Sequence, residues 1–238
     1  MAGHSKWKQI KHKKALLDAK KGKQFTKLIK EISIAARMGG GDPTGNPRLR
    51  LLLEKGKEIN MPQENAVRAI KKGTGELPGQ QYEAYTYEGY GPGNIAVIVD
   101  VLTDNKNKAI AEMRHVFTRN GGRIAENGSV SWMFEKAGVV EIQDNGISED
   151  TLLEQLLDYD VKDIKREENT ITITCEPKSL EDVKQALHAQ GLKVLEAELE
   201  WIPKNTVALS TEQEDRAVEF LNALEELEDV QNVYTNLD

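Results

Sequence analysis

The residues of this sequence with the plainest chemical signature are the lysines and arginines of its first 75 positions. That segment holds 18 Lys and Arg against six Asp and Glu, a net charge of +12, whereas the remainder holds 14 against 33, a net charge of −19. Residues 1–30 alone contain ten lysines and a single acid, Asp18. A solvated surface normally mixes both signs, so a stretch of one sign indicates a polyanionic partner. Because Lys and Arg release condensed counterions when they bind phosphates, we predict that this segment binds nucleic acid.

The predicted contacts are most of the basic side chains of this segment, together with one histidine and one tryptophan. Two roles fit the tryptophan ring: it stacks on an unpaired base, worth about 1–3 kcal/mol per base, or it anchors the segment on the rest of the protein. Base pairs in a major groove are typically read by Arg and Asn at a helix N-terminus, so the lysine-rich start of the chain does not predict sequence-specific readout. The candidate residues are Lys6, Trp7, Lys8, Lys11, His12, Lys13, Lys14, Lys20, Lys21, Lys23, Lys27, Lys30, Arg37, Arg48, Arg50, Lys71 and Lys72.

Two glycine-rich stretches resemble phosphate-binding loops. Gly89–Gly93 is followed by a predicted strand, whereas a phosphate loop needs a following helix whose N-terminus faces the phosphate. We therefore interpret it as a hairpin turn. Gly39–Gly41 allows close approach of a phosphate backbone, but it also ends a helix, and both interpretations stay open.

No cofactor, metal site or catalytic centre is predicted, and the protein is expected not to be an enzyme. The four histidines are widely spaced and have no partners at ligand spacing. Cys175 alternates with threonines beside Ile171 and Ile173 on one face of a predicted strand, where a thiol behaves as a small buried hydrophobe. Acidic pairs such as Asp158 and Asp160 are expected by chance among 33 acids, and they are interpreted as a solvated face.

Helical periodicity predicts that one helix positions several of these lysines and arginines. From residue 22 to residue 37 the apolar residues recur at helical spacing, while Lys27, Lys30 and Arg37 fall on the opposite side. This helix is therefore predicted to have a core face and a basic face. Residues 1–21 contain few apolar anchors, which predicts a partly mobile arm.

Two further helices are predicted in the basic segment. One begins at about residue 47, and the next runs from about residue 62 through Val67 and Ile70 to residue 73. Three short helices of this kind would form a small bundle that carries the remaining candidate cations.

Beyond a linker at residues 76–79, predicted strands and helices alternate. Residues 138–202 give the order βαββαβ of a ferredoxin-like domain. Residues 80–134 give ββαβ, including a strand at residues 129–134, and a strand, helix and strand from residue 206 onward complete it. The predicted class is α+β, with an N-terminal three-helix domain and two ferredoxin-like α/β domains, one inserted into the other. The predicted boundaries are 1–75 for the helical domain, 80–135 with 205–238 for the discontinuous domain, and 137–203 for the inserted domain.

Composition indicates the class of protein and its compartment. Hydrophobic residues make up 39% and charged residues 30%, as in ordinary soluble domains. No run approaches 18 apolar residues, and no apolar signal core follows the first lysines. A single cysteine permits no internal disulfide. We expect a cytoplasmic protein with no membrane partner.

Eight sequence motifs resemble those of the YebC/PmpR family, and they are spread along the whole chain. The resemblance implies a helical N-terminal domain followed by two α/β domains. The motifs are Met-Ala-Gly-His-Ser-Lys-Trp (1–7), Ile-Lys-His-Lys-Lys (10–14), Phe-Thr-Lys-Leu-Ile-Lys-Glu-Ile (25–32), Asn-Pro-Arg-Leu-Arg (46–50), Asn-Met-Pro (60–62), Ala-Ile-Lys-Lys-Gly-Thr-Gly (69–75), Tyr-Glu-Gly-Tyr-Gly-Pro-Gly (87–93) and Gly-Ser-Val-Ser-Trp-Met-Phe-Glu (128–135).

The resemblance implies one of two roles. Bacterial members of the family are described as DNA-binding transcriptional regulators, whereas others, including the mitochondrial translational activator of cytochrome oxidase, act in translation. Because no base-reading helix is recognised, we favour a ribosome-associated factor that binds rRNA or tRNA, with the DNA-binding regulator as the alternative. A third hypothesis is an enzyme that uses an acidic cleft between the α/β domains.

Overall fold

The computed structural model describes residues 21–79, 81–167 and 169–238, with only the backbone of residues 21–23. It begins with three helices, α1 (Lys21–Gly39), α2 (Pro47–Glu58) and α3 (Gln63–Gly73). We call these helices the helical platform. They meet in a shared apolar core, as their helical periodicity predicts. The buried core residues are Leu28, Ile32, Ala35, Leu49, Leu52, Ala66 and Ala69.

Strands and helices alternate through the rest of the described chain. In order they are β1 (Glu83–Tyr90), β2 (Ala96–Thr103), α4 (Lys106–Arg119), β3 (Arg123–Ala125), β4 (Phe134–Gln143), α5 (Glu149–Leu156), β5 (Val161–Glu167), β6 (Thr170–Cys175), α6 (Leu180–Ala189), β7 (Val194–Pro203), α7 (Thr211–Glu225) and β8 (Val230–Thr235).

The first sheet has the strand order β3-β1-β2-β8, and all neighbouring strands are antiparallel. Its central pair is a hairpin whose turn, at Pro92–Asn94, is followed by a strand, as the sequence predicts. Helices α4 and α7 pack on one face, where Val97 and Val99 point. Phe117 and Phe220 meet edge to face between the two helices, with ring centroids 4.9 Å apart. The core of this sheet therefore joins residues from before and after the compact unit 132–205, namely from 87–124 and from 209–237.

The second sheet has the order β5-β6-β4-β7, again antiparallel throughout. This is the strand order that a ferredoxin-like βαββαβ unit produces. Helices α5 and α6 cover the face that carries Val140, Ile142 and Ile173. Residues 132–205 form one compact unit, and the described residues before and after them form another. The α+β class, with a helical start and one sheet domain inserted into the other, is confirmed; the exact domain boundaries stay a prediction.

Two predicted strands are absent from the described residues. Residues 129–134 form a short 3-10 turn at Ser131–Met133 before β4 begins at Phe134, because the Glu88 carboxylate accepts the backbone N–H groups of Val130 and Ser131. Residues 206–209 form only an isolated bridge, between Val207 and Leu237. Conversely, the three-residue strand β3 was not predicted.

Candidate nucleic-acid interface

Asn46 fixes the corner between α1 and α2. Its buried side chain accepts a hydrogen bond from the Leu49 N–H at 3.0 Å and donates to the carbonyls of Ala35 and Gly40, both at 2.9 Å. One amide thus caps the start of α2 and satisfies carbonyl groups at the end of α1. The first turn of α2, which carries two of the candidate arginines, is held in a fixed position.

Small residues let α3 approach α1 closely. The buried residues of α3 are Ala66 and Ala69, and a Cβ added at Gly73 would lie 2.2 Å from the carbonyl oxygen of Ser33 in α1. Val67, on the same helix, is 44% exposed. The close helix contact therefore selects the small residues of α3 for the buried face.

Four candidate cations are exposed on the helical platform: Arg37, Arg48, Arg50 and Lys71. The Arg37 guanidinium donates to the side-chain oxygen of Gln81 at 3.3 Å. The other three side chains form no ion pair or hydrogen bond within the described part of the chain. Their charges are therefore not neutralised by the described residues.

Three further exposed cations of the platform, Lys55, Lys57 and Arg68, were not predicted from the sequence, and the last two form no ion pair with a described residue. Lys57 lies in the last turn of α2, and Arg68 precedes Lys71 by one turn of α3. The signal that identifies Arg68 is its spacing of three from Lys71, which puts both on one helix face. Lys57 and Arg68 belong with the candidate residues.

Lys72 is partly enclosed rather than fully available. Its ammonium lies 4.3 Å from the centre of the Tyr82 ring, and the Lys30 ammonium lies 5.6 Å from the same centre. A cation over an aromatic face is attracted by the ring quadrupole. Tyr82 therefore holds two lysines, one from α1 and one from α3, at the start of the first sheet.

Lys30 requires a correction to the sequence interpretation. The residue is 2% exposed, and its ammonium contacts Asp229 Oδ1 at 2.5 Å and the Glu228 carbonyl at 3.0 Å. Lys27 also turns toward β8, where its ammonium donates to the Gln231 carbonyl at 3.2 Å. The part of the predicted basic face that carries Lys27 and Lys30 thus packs against the chain at Glu228–Gln231, whereas Arg37 remains exposed.

The remaining candidates lie outside the described side chains. The predicted mobile arm lies there as well. The residues concerned are Lys6, Trp7, Lys8, Lys11, His12, Lys13, Lys14, Lys20, Lys21 and Lys23.

The thiol of Cys175 has the surroundings of a structural residue. Cys175 is buried in the second core, and burial raises the pKa of its thiol to about 11, so it is protonated at neutral pH. No group of three or more His, Cys, Asp or Glu residues in the described ranges could hold a metal ion. None of the helices described is long and apolar enough to cross a membrane.

The fold defines a class of α+β proteins in which a helical platform precedes two antiparallel sheets, the second inserted into the first. A family model described as "TACO1/YebC protein N-terminal domain" matches residues 5–76, and one described as "TACO1/YebC second and third domain" matches residues 82–237. The chain belongs to the TACO1/YebC family, which confirms the resemblance seen in its motifs.

Curated relatives and a solved structure match nearly the whole chain. A protein of Desulfosudis oleivorans is 49% identical over 99% of this chain and 96% of its own length. A protein of Chlorobaculum tepidum is 50% identical over 100% of this chain and 95% of its own. Both are named "probable transcriptional regulatory protein". The crystal structure of a conserved hypothetical protein from Aquifex aeolicus has a TM-score of 0.84 at 44% identity, covering 93% of this chain and 91% of that one.

Proposed function

We propose that this chain is a non-enzymatic, nucleic-acid-binding regulator of gene expression that contacts RNA of the translation apparatus through its first 75 residues. The observation that carries the proposal is the separation of charge, +12 in this segment against −19 elsewhere. The exposed, unpaired cations of the helical platform support it. Such cations release condensed counterions when they bind the phosphates of a nucleic acid, which supplies much of the affinity.

The geometry favours contact with phosphates over readout of base pairs. Asn46 stands at the start of α2, where a base-reading amide would be placed. Its side chain is buried and makes three hydrogen bonds to the backbone, so its amide already has partners. Arg48 and Arg50 remain at the surface beside it. Recognition of backbone and shape is how folded RNA is commonly bound.

The second candidate function is that of a DNA-binding transcriptional regulator. It is favoured by the names of the relatives, which describe them as probable transcriptional regulatory proteins. Duplex DNA would use the same exposed cations, since phosphate contacts carry no sequence information. The two functions therefore differ in the partner and in the dependence on sequence.

Two assays distinguish the RNA-binding function from the DNA-binding function. The first is sedimentation of cell lysate through a sucrose gradient, with and without ribonuclease. We expect the protein to migrate with ribosomes and to move to the top of the gradient after ribonuclease treatment. A mobility-shift assay with promoter and scrambled duplexes runs beside it. Promoter preference without ribosome migration would overturn the RNA proposal in favour of the DNA regulator.

A matched pair of variants assigns the contact to the platform. The test variant replaces Arg48, Arg50 and Lys71 by Ala. The control replaces Arg114, Arg119 and Lys193, which are also exposed and give the same change of charge. We expect only the test variant to leave the ribosomal fractions, and equal behaviour of the two variants would contradict a platform contact.

A further inference from the structure

A shallow, open groove of about 430 Å³ runs along the outer side of α3. We call it the α3 groove. Its volume lies within the range of sites that take small ligands, roughly 300–1,000 Å³. It is lined by Gln63, Glu64, Val67, Arg68, Lys71 and Leu77.

The groove is built by the chain folding back over the end of α3. The Leu77 N–H donates to the Lys71 carbonyl at 3.1 Å, and the Gly75 N–H donates to the Lys72 carbonyl at 3.4 Å. Gly75 takes the turn with a φ of +83°, which glycine adopts without strain. Leu77 is thereby held across from Val67 as the second wall.

The chemistry of the lining changes along the helix. Val67 and Leu77 are 44% and 38% exposed, so the middle of the groove offers apolar walls to solvent. Lys71 places a cation toward the C-terminal end and Arg68 places a second one beside Val67, and no described residue forms an ion pair with either. Glu64 lies in the first turn, about 10 Å from Lys71 at 1.5 Å of rise per residue. Apolar walls therefore lie between a cationic end and an anionic end.

We propose that the α3 groove binds one unpaired nucleotide of a single-stranded nucleic acid. The base lies between Val67 and Leu77, the phosphate contacts Lys71 and Arg68, and the Glu64 carboxylate accepts a hydrogen bond from an exocyclic amino group of the base. A nucleotide matches this lining because it joins a flat, largely apolar face to a phosphate at one end and polar edges at the other. The inference rests on the proposed function and adds to it a subsite that prefers bases with an amino group.

The preference follows from the donors that each base presents. Carboxylates accept from the amino group of cytosine, and adenine also carries an exocyclic amine, whereas uracil carries carbonyl oxygens at its exocyclic positions and has a donor only at the ring N3–H. A uracil carbonyl would face the Glu64 carboxylate without a proton between them. Oligo(C) and oligo(A) should therefore bind more tightly than oligo(U), by about fivefold or more.

Fluorescence anisotropy with the full-length protein and short labelled oligo(C), oligo(A) and oligo(U) RNAs tests the inference. Glu64→Gln should remove the preference for oligo(C) over oligo(U), since an amide both donates and accepts. Val67→Ser with Leu77→Ser should weaken binding of all three RNAs about tenfold, because the apolar area that the two side chains bury against the base is lost. Arg68→Ala with Lys71→Ala should lower the slope of log affinity against log salt by about 1.4.

Matched controls lie elsewhere on the described surface. Leu157, 76% exposed on the unit 132–205, is replaced by Ser, and Arg114 is replaced by Ala. Both controls should bind all three RNAs as the unaltered protein does. Circular dichroism of each variant verifies that it is folded, and a groove variant that unfolds is replaced by Leu77→Ala alone.

The outcomes separate the groove from the function. RNA binding that is equal for the three oligonucleotides, or unchanged by the Val67 and Leu77 substitutions, would overturn the groove and leave the proposed function standing. Failure of the unaltered protein to bind any RNA or DNA would overturn both. If the same variants lose binding of an acidic, leucine-containing peptide but not of RNA, the groove belongs to a protein partner and the inference is wrong.

Discussion

A single buried carboxylate organises the connection between the first sheet and β4. Glu88 is 6% exposed and accepts hydrogen bonds from the N–H groups of Gly128, Val130 and Ser131 at 2.7–2.9 Å. Burial acts to raise the pKa of this carboxyl, but the three backbone donors and the Ser131 side chain outweigh it and hold the pKa below the ordinary value of 4.5. Glu88 therefore stays ionised and fixes the backbone of this segment.

Replacing Glu88 by Gln should destabilise the protein by about 1–3 kcal/mol. The amide keeps the size of the side chain, but it loses the charge and turns one acceptor into a donor that faces backbone N–H groups. Urea unfolding at neutral pH measures the change. The control is Glu126→Gln, since Glu126 is exposed in the same segment and should change stability by no more than about 0.5 kcal/mol. Equal effects of the two substitutions would contradict the role assigned to Glu88.

The same pair of proteins gives a pH dependence. Because the folded pKa of Glu88 is lowered, its contribution is fully present above the unfolded value and is lost as pH falls through the folded pKa. The stability difference between the unaltered protein and Glu88→Gln should therefore shrink as the pH is lowered from 6 to about 3. A difference that stays constant over this range would show that ionisation of Glu88 does not matter.

At the scale of helices, the contact between α1 and α3 depends on the absence of one side chain. A Cβ at position 73 would lie 2.2 Å from the Ser33 carbonyl oxygen and 3.0 Å from the Ala36 Cβ. Backbone cannot move away as a flexible side chain can, so Gly73→Ala should cost about 1–3 kcal/mol by overpacking. Hydrogen-exchange mass spectrometry should show faster exchange across the three helices.

Gly45→Ala is the matched control for this substitution. The nearest atom to a Cβ at position 45 is the Asp42 carbonyl oxygen at 4.0 Å, an ordinary contact. Exchange in the platform should stay as it is in the unaltered protein. If Gly73→Ala behaves like the control, the close helix contact has been assigned wrongly.

The accuracy of prediction from sequence differed between elements for a physical reason. The alternation of apolar residues was sufficient to predict β5 and β6, and their helical spacing was sufficient to predict α6. In these elements the local pattern determines which side chains are buried. Residues 129–134 also alternate, yet they join a strand only at Phe134, since the N–H groups of Val130 and Ser131 donate to Glu88, about 40 residues earlier. A local pattern contains no information about a partner so far along the chain.

The candidate site follows the same rule. The excess of cations is visible in the sequence, and the exposed positions Arg48 and Lys71 require no distant partner. Lys30 also lies on the polar side of its helix, but its partner Asp229 is 199 residues away. The packing of α1 against β8 thus determines which lysines of α1 remain exposed for a partner.

At the scale of the molecule, this pair joins the helical platform to the first sheet. Asp229 also accepts a hydrogen bond from the Thr103 hydroxyl at 2.9 Å, and Lys27 covers a carbonyl of the edge strand β8. Lys30→Met should lower the free energy of unfolding by about 3–5 kcal/mol, because it leaves the buried Asp229 carboxylate without a cation. The double variant Lys30→Met with Asp229→Asn should cost less than the two single substitutions together, as denaturant unfolding of all four proteins can measure.

Lys57→Met is the control for that cycle. Lys57 is exposed and forms no ion pair with a described residue, so its loss should change stability little. If the double variant loses as much free energy of unfolding as the two single variants together, Lys30 and Asp229 do not stabilise each other.

The division of charge between the two parts of the chain leads to a dependence on salt. Because the first 75 residues carry +12 and the rest −19, phosphate contacts should be confined to the basic segment. Six to ten such contacts would lose roughly 10³–10⁵ in affinity for duplex DNA between about 50 and 200 mM salt. Removing Arg48, Arg50 and Lys71 should lower the slope of log affinity against log salt by about 2.7 on duplex DNA, as anisotropy titrations can measure.

The control that replaces Arg114, Arg119 and Lys193 distinguishes a contact from a change in net charge. Both triple variants make the protein more negative by the same amount, but only the platform variant removes cations from the basic segment. If the slope of log affinity against log salt depends on direct phosphate contacts, the control variant should have the same slope as the unaltered protein. If both variants lower the slope equally, the polyanion responds to total charge, and the platform is not its binding site.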